Sequence, residues 1–319
     1  MKVWEFILQK KISSSRVILL YVLESKGSSP GRQGFKMAVS SDGDFCGSIG
    51  GGIMEHKFVE LAKSRLLIPE EEPEVVKQFH EKSAKKNQSG MICSGEQTIF
   101  LYEIKEHEIS AIDHLIVSMK ANRNGTLHLN IDDMSFTDEV PHHPFYLEIS
   151  DDYASFHFEE KTGLKNSLHI VGGGHCALAL SKLMCNMDFY IHVYDERVGL
   201  NTIEENSFAH EKHIVSSYAA LGSLIPNGDN VYVVIMTFGY RTDDNAVRSL
   251  LGKEFKYIGL LGSQKKIEKM FEDYQSEDID TSLLKKIKAP IGLFIKSETV
   301  EEIAVSIAAE IILHKNTNQ

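Results

Sequence analysis

One stretch of the sequence, residues 167–197, limits the possible folds more than any other. It runs from an apolar strand through a glycine turn and an amphipathic helix into a second strand that ends at Asp195. Gly172, Gly174 and Ala177 fit the pattern G-x-G-x-x-A, whose first glycine permits a tight turn and whose second lets the backbone approach a pyrophosphate. The order strand, helix, strand predicts a parallel β-α-β unit of the Rossmann type.

The same stretch predicts a nucleotide site. Asp195 lies about 20 residues after the turn, where an acidic residue binds the ribose hydroxyls of a dinucleotide. NAD is favoured over NADP, because a carboxylate repels a 2′-phosphate. His175, at the start of the helix, could donate to an anionic ligand, or it packs or faces solvent. A Rossmann-like fold that no longer binds a dinucleotide is the alternative, because folds outlast their ligands.

Strands and helices continue to alternate towards the C-terminus. Buried strands are predicted over residues 230–237 and 256–263, and a long helix over 301–315. Thr299 and Glu302 form a predicted capping box in front of that helix. This alternation is typical of a doubly wound parallel sheet.

The N-terminal half has a different pattern. It predicts a short helix over residues 1–12, a buried strand over 16–25 and a hairpin over 35–49. Residues 69–90 are charged and are predicted to be solvated, whereas 96–104 predict another strand. Strands that follow one another in this way favour an α+β arrangement.

The fold class is therefore predicted as α/β with two domains. An α+β domain covers residues 1–164 and includes an irregular β connection at about 106–164. Within that connection, residues 106–122 could form a helix and 124–160 contain short strand-like pieces. A Rossmann-like domain with a doubly wound parallel sheet covers 165–319.

A second glycine-rich segment, GSIGGGIMEH, precedes a predicted helix at residues 47–56. Its candidate binding residues are Gly47, Ser48, Gly50, Gly51 and Gly52. Such a loop could present backbone N–H groups to an anion. A tight β-to-α connection that needs glycine only for positive φ explains the pattern equally well.

The cysteines form no C-x-x-C pair. They are Cys46, Cys93, Cys176 and Cys185. Scattered free thiols are typical of a reducing compartment, and the N-terminus shows no signal-peptide pattern, so we predict a cytoplasmic protein. Cys93, in a Gly/Ser loop, could be a soft metal ligand or a sulfur carrier, and a structural thiol is the alternative.

Charge and hydropathy exclude two classes of partner. The formal net charge of −11 argues against nucleic-acid binding, which needs a basic surface. No stretch approaches the ~20 apolar residues of a membrane helix.

The predicted final helix is apolar around much of its circumference, which favours burial against the sheet or in a homodimer. Its apolar residues include Ile303, Ala304, Ile307, Ala308, Ile311 and Ile312.

Several motifs occur in a recognisable order. They are GSSPGRQGFKMAV, GSIGGGIMEHK and CSGE, then IVGGGHCALAL, VYDER, MTFGYRTDDNAV, YIGLLGSQKK and APIGL. Together they resemble the XdhC/CoxI family, the accessory proteins of xanthine and carbon monoxide dehydrogenases. The resemblance implies an XdhC/CoxI-type domain followed by a Rossmann domain. It also implies a maturation chaperone that binds molybdenum cofactor and assists its sulfuration and its insertion into a xanthine-dehydrogenase-type molybdenum hydroxylase.

The resemblance also assigns partners and site residues. It implies a molybdenum hydroxylase client and a cysteine desulfurase. Because molybdopterin carries a phosphate, the two glycine loops could grip it between the domains. The positions that match the family's two glycine motifs are Gly47, Gly50, Gly51, Gly52 and Glu55 in the first, and Gly172, Gly174 and His175 in the second.

The chain departs from the family at several positions. Phe238 and Tyr240 stand where family members often have the histidines of T-H-G-H, and Phe294 replaces an aspartate. If the histidines hold cofactor, this protein binds it less tightly or binds something else. Two alternatives stay open. One is an NAD(P)-dependent oxidoreductase with His175, Tyr240 or Asp243 in proton transfer, and the other is a non-catalytic docking module. The sequence assigns no catalytic residue.

Overall fold

The chain forms two units, Met1–Gly163 and Leu164–Gln319. A computed structural model describes residues 1–68, 72–79, 95–187 and 189–317. Each unit has its own sheets and its own apolar core. The N-terminal unit contains antiparallel sheets and the C-terminal unit a parallel sheet, so the predicted fold class is confirmed.

The N-terminal unit contains three α-helices and nine strands in its described residues. The helices are α1 (Lys2–Ile12), α2 (Gly52–Leu66) and α3 (Ile109–Lys120). The strands are β1 (Val17–Gly27), β2 (Lys36–Ser40), β3 (Phe45–Ser48), β4 (Glu74–Phe79), β5 (Gly95–Glu103), β6 (Gly125–Asn130), β7 (Met134–Thr137), β8 (Phe145–Ile149) and β9 (Phe156–Thr162). A 3₁₀ turn over Glu106–Glu108 precedes α3.

Strand β1 lies at the centre of a five-stranded antiparallel sheet with the order β3-β2-β1-β5-β4. Alternate side chains of a strand point to opposite faces. Leu19 and Tyr21 pack in the core that contains residues of α1 and α3. Ile18 and Leu20 pack in the core that contains residues of α2. Burial on both faces explains why β1 is an almost continuous apolar run.

Two expectations for this unit are corrected. The charged segment predicted to be solvated contains β4, a half-buried edge strand paired antiparallel with β5. The region predicted as an irregular β connection contains α3, within the predicted helix over 106–122, but its strands pair into a regular four-stranded antiparallel sheet with the order β7-β6-β9-β8. Its inward side chains, among them Leu127, Leu129 and Phe158, are buried in the same core as α1.

The C-terminal unit alternates strands with helices. The strands are β10 (Asn166–Val171), β11 (Phe189–Asp195), β12 (Glu211–Ile214), β13 (Gly228–Ile235), β14 (Phe255–Leu260) and β15 (Ile287–Lys288). The helices are α4 (His175–Met184), α5 (Asn201–Glu204), α6 (Leu221–Leu224), α7 (Tyr240–Leu250), α8 (Gln264–Ser276), α9 (Thr281–Leu284) and α10 (Val300–Thr317), with a 3₁₀ turn over Tyr218–Ala220.

These strands form one parallel sheet with the order β12-β11-β10-β13-β14-β15. Numbered from β10, the order is 3-2-1-4-5-6, that of a doubly wound dinucleotide-binding fold. One core packs α4 and α10 against the sheet, and another packs α7 and α8 against it. The fold therefore brings the loops after β10, β11, β13 and β14 to the carboxyl edge of the sheet, where such folds bind ligands.

The final helix is capped as predicted. Thr299 Oγ1 accepts from the amide of Glu302, and the Glu302 carboxylate accepts from the amide of Thr299, both at 3.2 Å. Ala304, Ile307 and Ile311 of α10 are fully buried in the unit's own core. The apolar character that suggested a homodimer thus has an explanation within one chain, and the homodimer stays a prediction.

Among the helices that the structure describes, none combines the length and apolar character needed to cross a lipid bilayer.

Candidate functional site

The predicted glycine turn joins β10 to α4 at the carboxyl edge of the parallel sheet. The amide of Gly172 donates to the carbonyl of Tyr194 at 2.7 Å, and the amide of Met236 donates to the carbonyl of Val171 at 2.8 Å. These bonds tie the turn to both neighbouring strands. Gly172 has φ +107°, and a Cβ there would overlap the carbonyl of Met236. The first glycine of the motif is therefore required by the fold itself.

Asp195 ends β11 beside this turn, as the sequence predicts, but its carboxylate is already occupied. Oδ2 accepts from the amide of Gly173 and from Nη2 of Arg197, both at 2.7 Å. Oδ1 accepts from the amide and Nε of Arg197 at 2.9 and 2.8 Å. Burial alone would raise the pKa of Asp195, but these donors outweigh it and hold the pKa below its ordinary value. Asp195 thus stabilises the turn through these hydrogen bonds.

Gly174 lies at the open end of the turn and is the N-cap of α4. Its φ of −74° is ordinary, and none of the described side chains caps the helix. A Cβ at Gly174 would have no atom within 4 Å among the described residues. The amide end of α4 is therefore accessible to an anion, which a helix N-terminus favours. His175 is exposed next to it and is one of the residues that line an open groove of about 710 Å³ along α4 and α10.

The loops after β13 and β14 meet through a buried ion pair at the same edge. Asp243, in the first turn of α7, is fully buried. Its Oδ1 accepts from the amide and hydroxyl of Thr237 at 3.1 and 2.6 Å. Its Oδ2 contacts Nζ of Lys266, which also donates to the carbonyl of Leu261 at 3.1 Å. This pair fixes the positions of the α7 and α8 N-termini relative to the sheet.

In the N-terminal unit, the segment GSIGGG contacts two segments distant in sequence. A Cβ at Gly50 would lie only 2.6 Å from the amide nitrogen of Gly31, in the loop between β1 and β2. Nε2 of Gln97, in β5, donates to the carbonyl of Ile49 at 3.1 Å. The structure thus brings together the glycine segment, the loop GSSPGRQG and the start of β5.

The amides of the glycine segment are bound by a carboxylate of the chain itself. Oε2 of Glu55 accepts from Ser48 Oγ at 2.6 Å and from the amides of Ile49 and Gly51 at 3.0 and 2.9 Å. Ser48 Oγ in turn accepts from the amide of Gly50 at 3.1 Å. An anionic ligand at these amides would have to displace Glu55.

The remaining predicted residues of this region lie at its margins. Gly47 belongs to β3, and Gly52 is the first residue of α2. Cys93 lies outside the described residues. Ser29, in the adjoining loop, is buried, and its hydroxyl has no hydrogen-bond partner within the described part of the chain.

Two family models match the chain in the order of its two units. The XdhC and CoxI family model matches residues 13–77, and the XdhC Rossmann domain model matches residues 168–311. The chain belongs to the XdhC/CoxI family. The resemblance inferred from the ordered motifs is therefore confirmed.

Curated relatives of this XdhC/CoxI chain are more distant. The uncharacterized protein YqeB of Escherichia coli (strain K12) is 25% identical over 298 residues, which are 92% of this chain and 43% of YqeB. A probable subunit of xanthine dehydrogenase from Bacillus subtilis (strain 168) is 26% identical over 164 residues, 49% of this chain and 47% of that protein. Each match spans less than half the length of the relative.

A solved structure shares the whole fold. A protein described as a xanthine dehydrogenase from Bacillus halodurans superposes with a TM-score of 0.73 at 22% identity, covering 100% of this chain and 97% of that one. At this identity the likeness supports the fold of the XdhC/CoxI chain.

Phe238 and Tyr240, at the positions where the resemblance implies family histidines, lie in the segment that follows β13. Phe238 is 60% exposed, and the guanidinium of Arg197 lies 4.8 Å from its ring centroid. Tyr240 begins α7, and its hydroxyl donates to Oδ2 of Asp273 at 2.6 Å. Phe294 is 90% exposed. Arg197 and Phe238 thus border the site, and the sequence pattern, which gives no side-chain direction, did not predict their contact.

Replacing Glu55 with alanine is expected to lower the free energy of unfolding by about 2 kcal/mol, because hydrogen bonds to a charged group are the stronger kind. The change leaves the amides of Ile49 and Gly51 without their acceptor. Urea unfolding of the full chain measures the loss.

Glu60→Ala is the matched control for this prediction. Glu60 is exposed on the same helix and pairs with Lys63 at 3.0 Å. Such a surface pair contributes at most about 0.5 kcal/mol. Equal losses for the two variants would show that Glu55 does not hold the glycine segment.

Proposed function

We propose that this protein is a maturation chaperone that binds molybdenum cofactor and assists its sulfuration and its insertion into a molybdenum hydroxylase of the xanthine-dehydrogenase type. Membership of the XdhC/CoxI family supports the general role. The name of the Bacillus subtilis relative, which describes a probable part of a xanthine dehydrogenase, agrees with it. The protein acts by holding and delivering the cofactor in the cytoplasm.

One observation carries the binding role: the uncapped, accessible amide end of α4 at Gly174. Backbone N–H groups at a helix N-terminus suit a phosphate, which molybdopterin carries. The residues present therefore fit the phosphate end of the cofactor. The corresponding amides of the glycine segment in the N-terminal unit are bound to Glu55, so we propose the phosphate site at α4 rather than there.

The proposal favours cofactor delivery over a dinucleotide-dependent oxidoreductase. A ribose needs a free carboxylate at the end of β11. The carboxylate of Asp195 accepts four hydrogen bonds from Gly173 and Arg197 instead. A dinucleotide would have to break the Arg197 contacts, which opposes NAD(P) binding in its usual orientation.

Two of the described thiols, Cys176 and Cys185, favour a holding role during sulfuration. Burial raises the pKa of the Cys176 and Cys185 thiols, which lowers the fraction of reactive thiolate at neutral pH. We therefore propose that the sulfur comes from a partner cysteine desulfurase, and that the chain holds the cofactor during the exchange.

The proposal is tested on untagged protein purified from cells that make molybdenum cofactor. Molybdenum content and the fluorescence of oxidised pterin are measured for the wild type and for Gly174→Val. The valine side chain projects into open space at the amide end of α4, so folding is retained while the approach of a phosphate is blocked. We expect pterin and molybdenum in the wild type and a loss of at least tenfold in the variant.

Lys182→Val is the matched control, because it places the same side chain on an exposed position in the last turn of the same helix. It is expected to retain the cofactor. Wild-type protein without pterin or molybdenum contradicts the proposal, and NAD binding by calorimetry would then support the oxidoreductase alternative. Full cofactor retention in folded Gly174→Val would contradict the α4 phosphate site.

A further inference from the structure

Three ligating side chains converge on two neighbouring strands of the C-terminal unit. His192 lies in β11 and pairs in register with Glu211 of the edge strand β12. His213 lies two residues after Glu211, and side chains two apart in a strand share a face. We call these residues the His192 triad: His192, Glu211 and His213. The triad shares no residue with the glycine turn or with the proposed phosphate site.

The three ligand atoms of the triad form a nearly equilateral triangle. His192 Nδ1 lies 3.4 Å from His213 Nε2 and 3.5 Å from Glu211 Oε2, and His213 Nε2 lies 3.1 Å from Glu211 Oε2. An ion with tetrahedral bonds of about 2.0–2.1 Å separates its ligand atoms by about 3.3–3.4 Å. The triangle therefore matches three corners of a tetrahedral site, with the fourth corner open.

Neighbouring side chains fix the orientation of each ligand. The hydroxyl of Tyr190 donates to Oε1 of Glu211 at 2.9 Å, which leaves Oε2 directed at the imidazoles. The ring of His192 stacks on His169 at 4.4 Å and 3°, and the ring of His213 stacks on Tyr194 at 4.6 Å and 15°. The Tyr190 hydrogen bond is of the kind that orients metal ligands in known sites, and the stacked rings restrict the rotation of the imidazoles.

The accessibility of the triad also suits a metal. The side chains of His192, Glu211 and His213 are 17%, 44% and 35% exposed, so an ion can reach them.

We propose that the His192 triad binds a divalent transition-metal ion, with Zn²⁺ as the probe ion. Two imidazole nitrogens and one carboxylate oxygen are a typical zinc donor set, whereas Mg²⁺ and Ca²⁺ prefer oxygen ligands alone. Three protein ligands leave one position for water or an exchangeable ligand. The site goes beyond the proposed cofactor delivery and does not depend on it.

A second cluster in the N-terminal unit provides the control. Glu159 Oε1 lies 3.0 Å from His157 Nε2 and 3.6 Å from His128 Nδ1, but its other oxygen pairs with His143 at 2.9 Å. The carboxylate is thus shared between imidazoles on both sides, as in a network of ion pairs. His157 is 47% exposed, so His157→Ala removes a comparable imidazole at little structural cost.

The test is a calorimetric titration of untagged, chelator-treated full-length protein with Zn²⁺, repeated with Co²⁺ and followed by visible absorption. We expect one saturable site in the wild type and tetrahedral Co²⁺ absorption. His213→Ala and Glu211→Gln are expected to weaken binding at least tenfold, and His157→Ala to leave it unchanged. Glu211→Gln keeps the side-chain shape, and circular dichroism checks that each variant is folded.

Three results would overturn the proposal. They are the absence of a saturable site in the wild type, unchanged affinity in both folded triad variants, and a loss of affinity confined to His157→Ala. In the first case the triad is an ordinary hydrogen-bonded cluster.

Discussion

Replacing Lys266 with methionine is expected to lower the free energy of unfolding by about 3 kcal/mol, the cost of breaking a buried ion pair from one side. Nζ of Lys266 contacts the carboxylate of Asp243, whose side chain is fully buried. After the change, that carboxylate keeps only the amide and hydroxyl of Thr237 as described donors. Because methionine retains most of the aliphatic length of lysine, the loss of stability measures the effect of removing the positive charge. Urea unfolding at neutral pH measures it.

A double-mutant cycle separates this charge effect from lost packing. Asp243→Asn removes the negative charge, and the side chain of Lys266, 26% exposed, can turn its ammonium group to water. We expect a loss of about 1 kcal/mol for Asp243→Asn, and a double variant that is more stable than the sum of the single losses predicts. Strict additivity would show that the two groups do not stabilise each other.

The parts of the fold that were predictable are those fixed by local patterns. The glycine turn, the apolar strand before it and the acid at the end of the next strand all fall within 30 or so residues, so the sequence alone indicates a β-α-β unit. The capping box at Thr299 is local in the same sense, because the cap and its partner are three residues apart. Such signals do not depend on the rest of the chain.

The strand β4 was missed, and the pairing of β6 with β9 was not predicted. In β4, Glu74–Phe79, Glu74 is exposed and the other five residues, Lys77 among them, are only half-buried, because the strand lies at a sheet edge. In β6 and β9, Leu129 and Phe158 face the core while His128 and His157 face outwards. The alternation in β6 and β9 predicts short strand-like pieces but not their pairing, whereas β4 lacks a long apolar run and resembles a loop when its partner strand is not in view.

For the site residues, too, positions along the chain were predictable, whereas side-chain contacts were not. Asp195 was predicted at the end of β11, and it lies there. Arg197 donates hydrogen bonds to the Asp195 carboxylate, and Glu55 accepts hydrogen bonds from the amides of the glycine segment. Both contacts depend on side-chain directions, which the spacing of residues in the sequence does not predict. The His192 triad needed the pairing register of β11 with β12, which a sequence pattern does not specify.

The largest loss of stability among the glycines of the β10–α4 turn is expected for Gly172→Ala, at about 3 kcal/mol or more. Positive φ costs an alanine about 1–3 kcal/mol, and forcing a Cβ into packed backbone costs a similar amount. The φ of Gly172 is +107°, and a Cβ there would overlap the carbonyl oxygen of Met236 and lie 2.7 Å from its carbonyl carbon. Met236 cannot move aside, because its amide donates to Val171 at 2.8 Å.

Gly174→Ala is the internal comparison for this prediction. Gly174 has φ −74° and no described atom within 4 Å of an added Cβ, so its replacement should change the free energy of unfolding by less than about 1 kcal/mol. Chemical unfolding of both variants measures the difference, and equal losses would contradict it. The two glycines of the motif then have different roles. Gly172 is needed to fold the turn, whereas Gly174 leaves the N-terminal amides of α4 accessible.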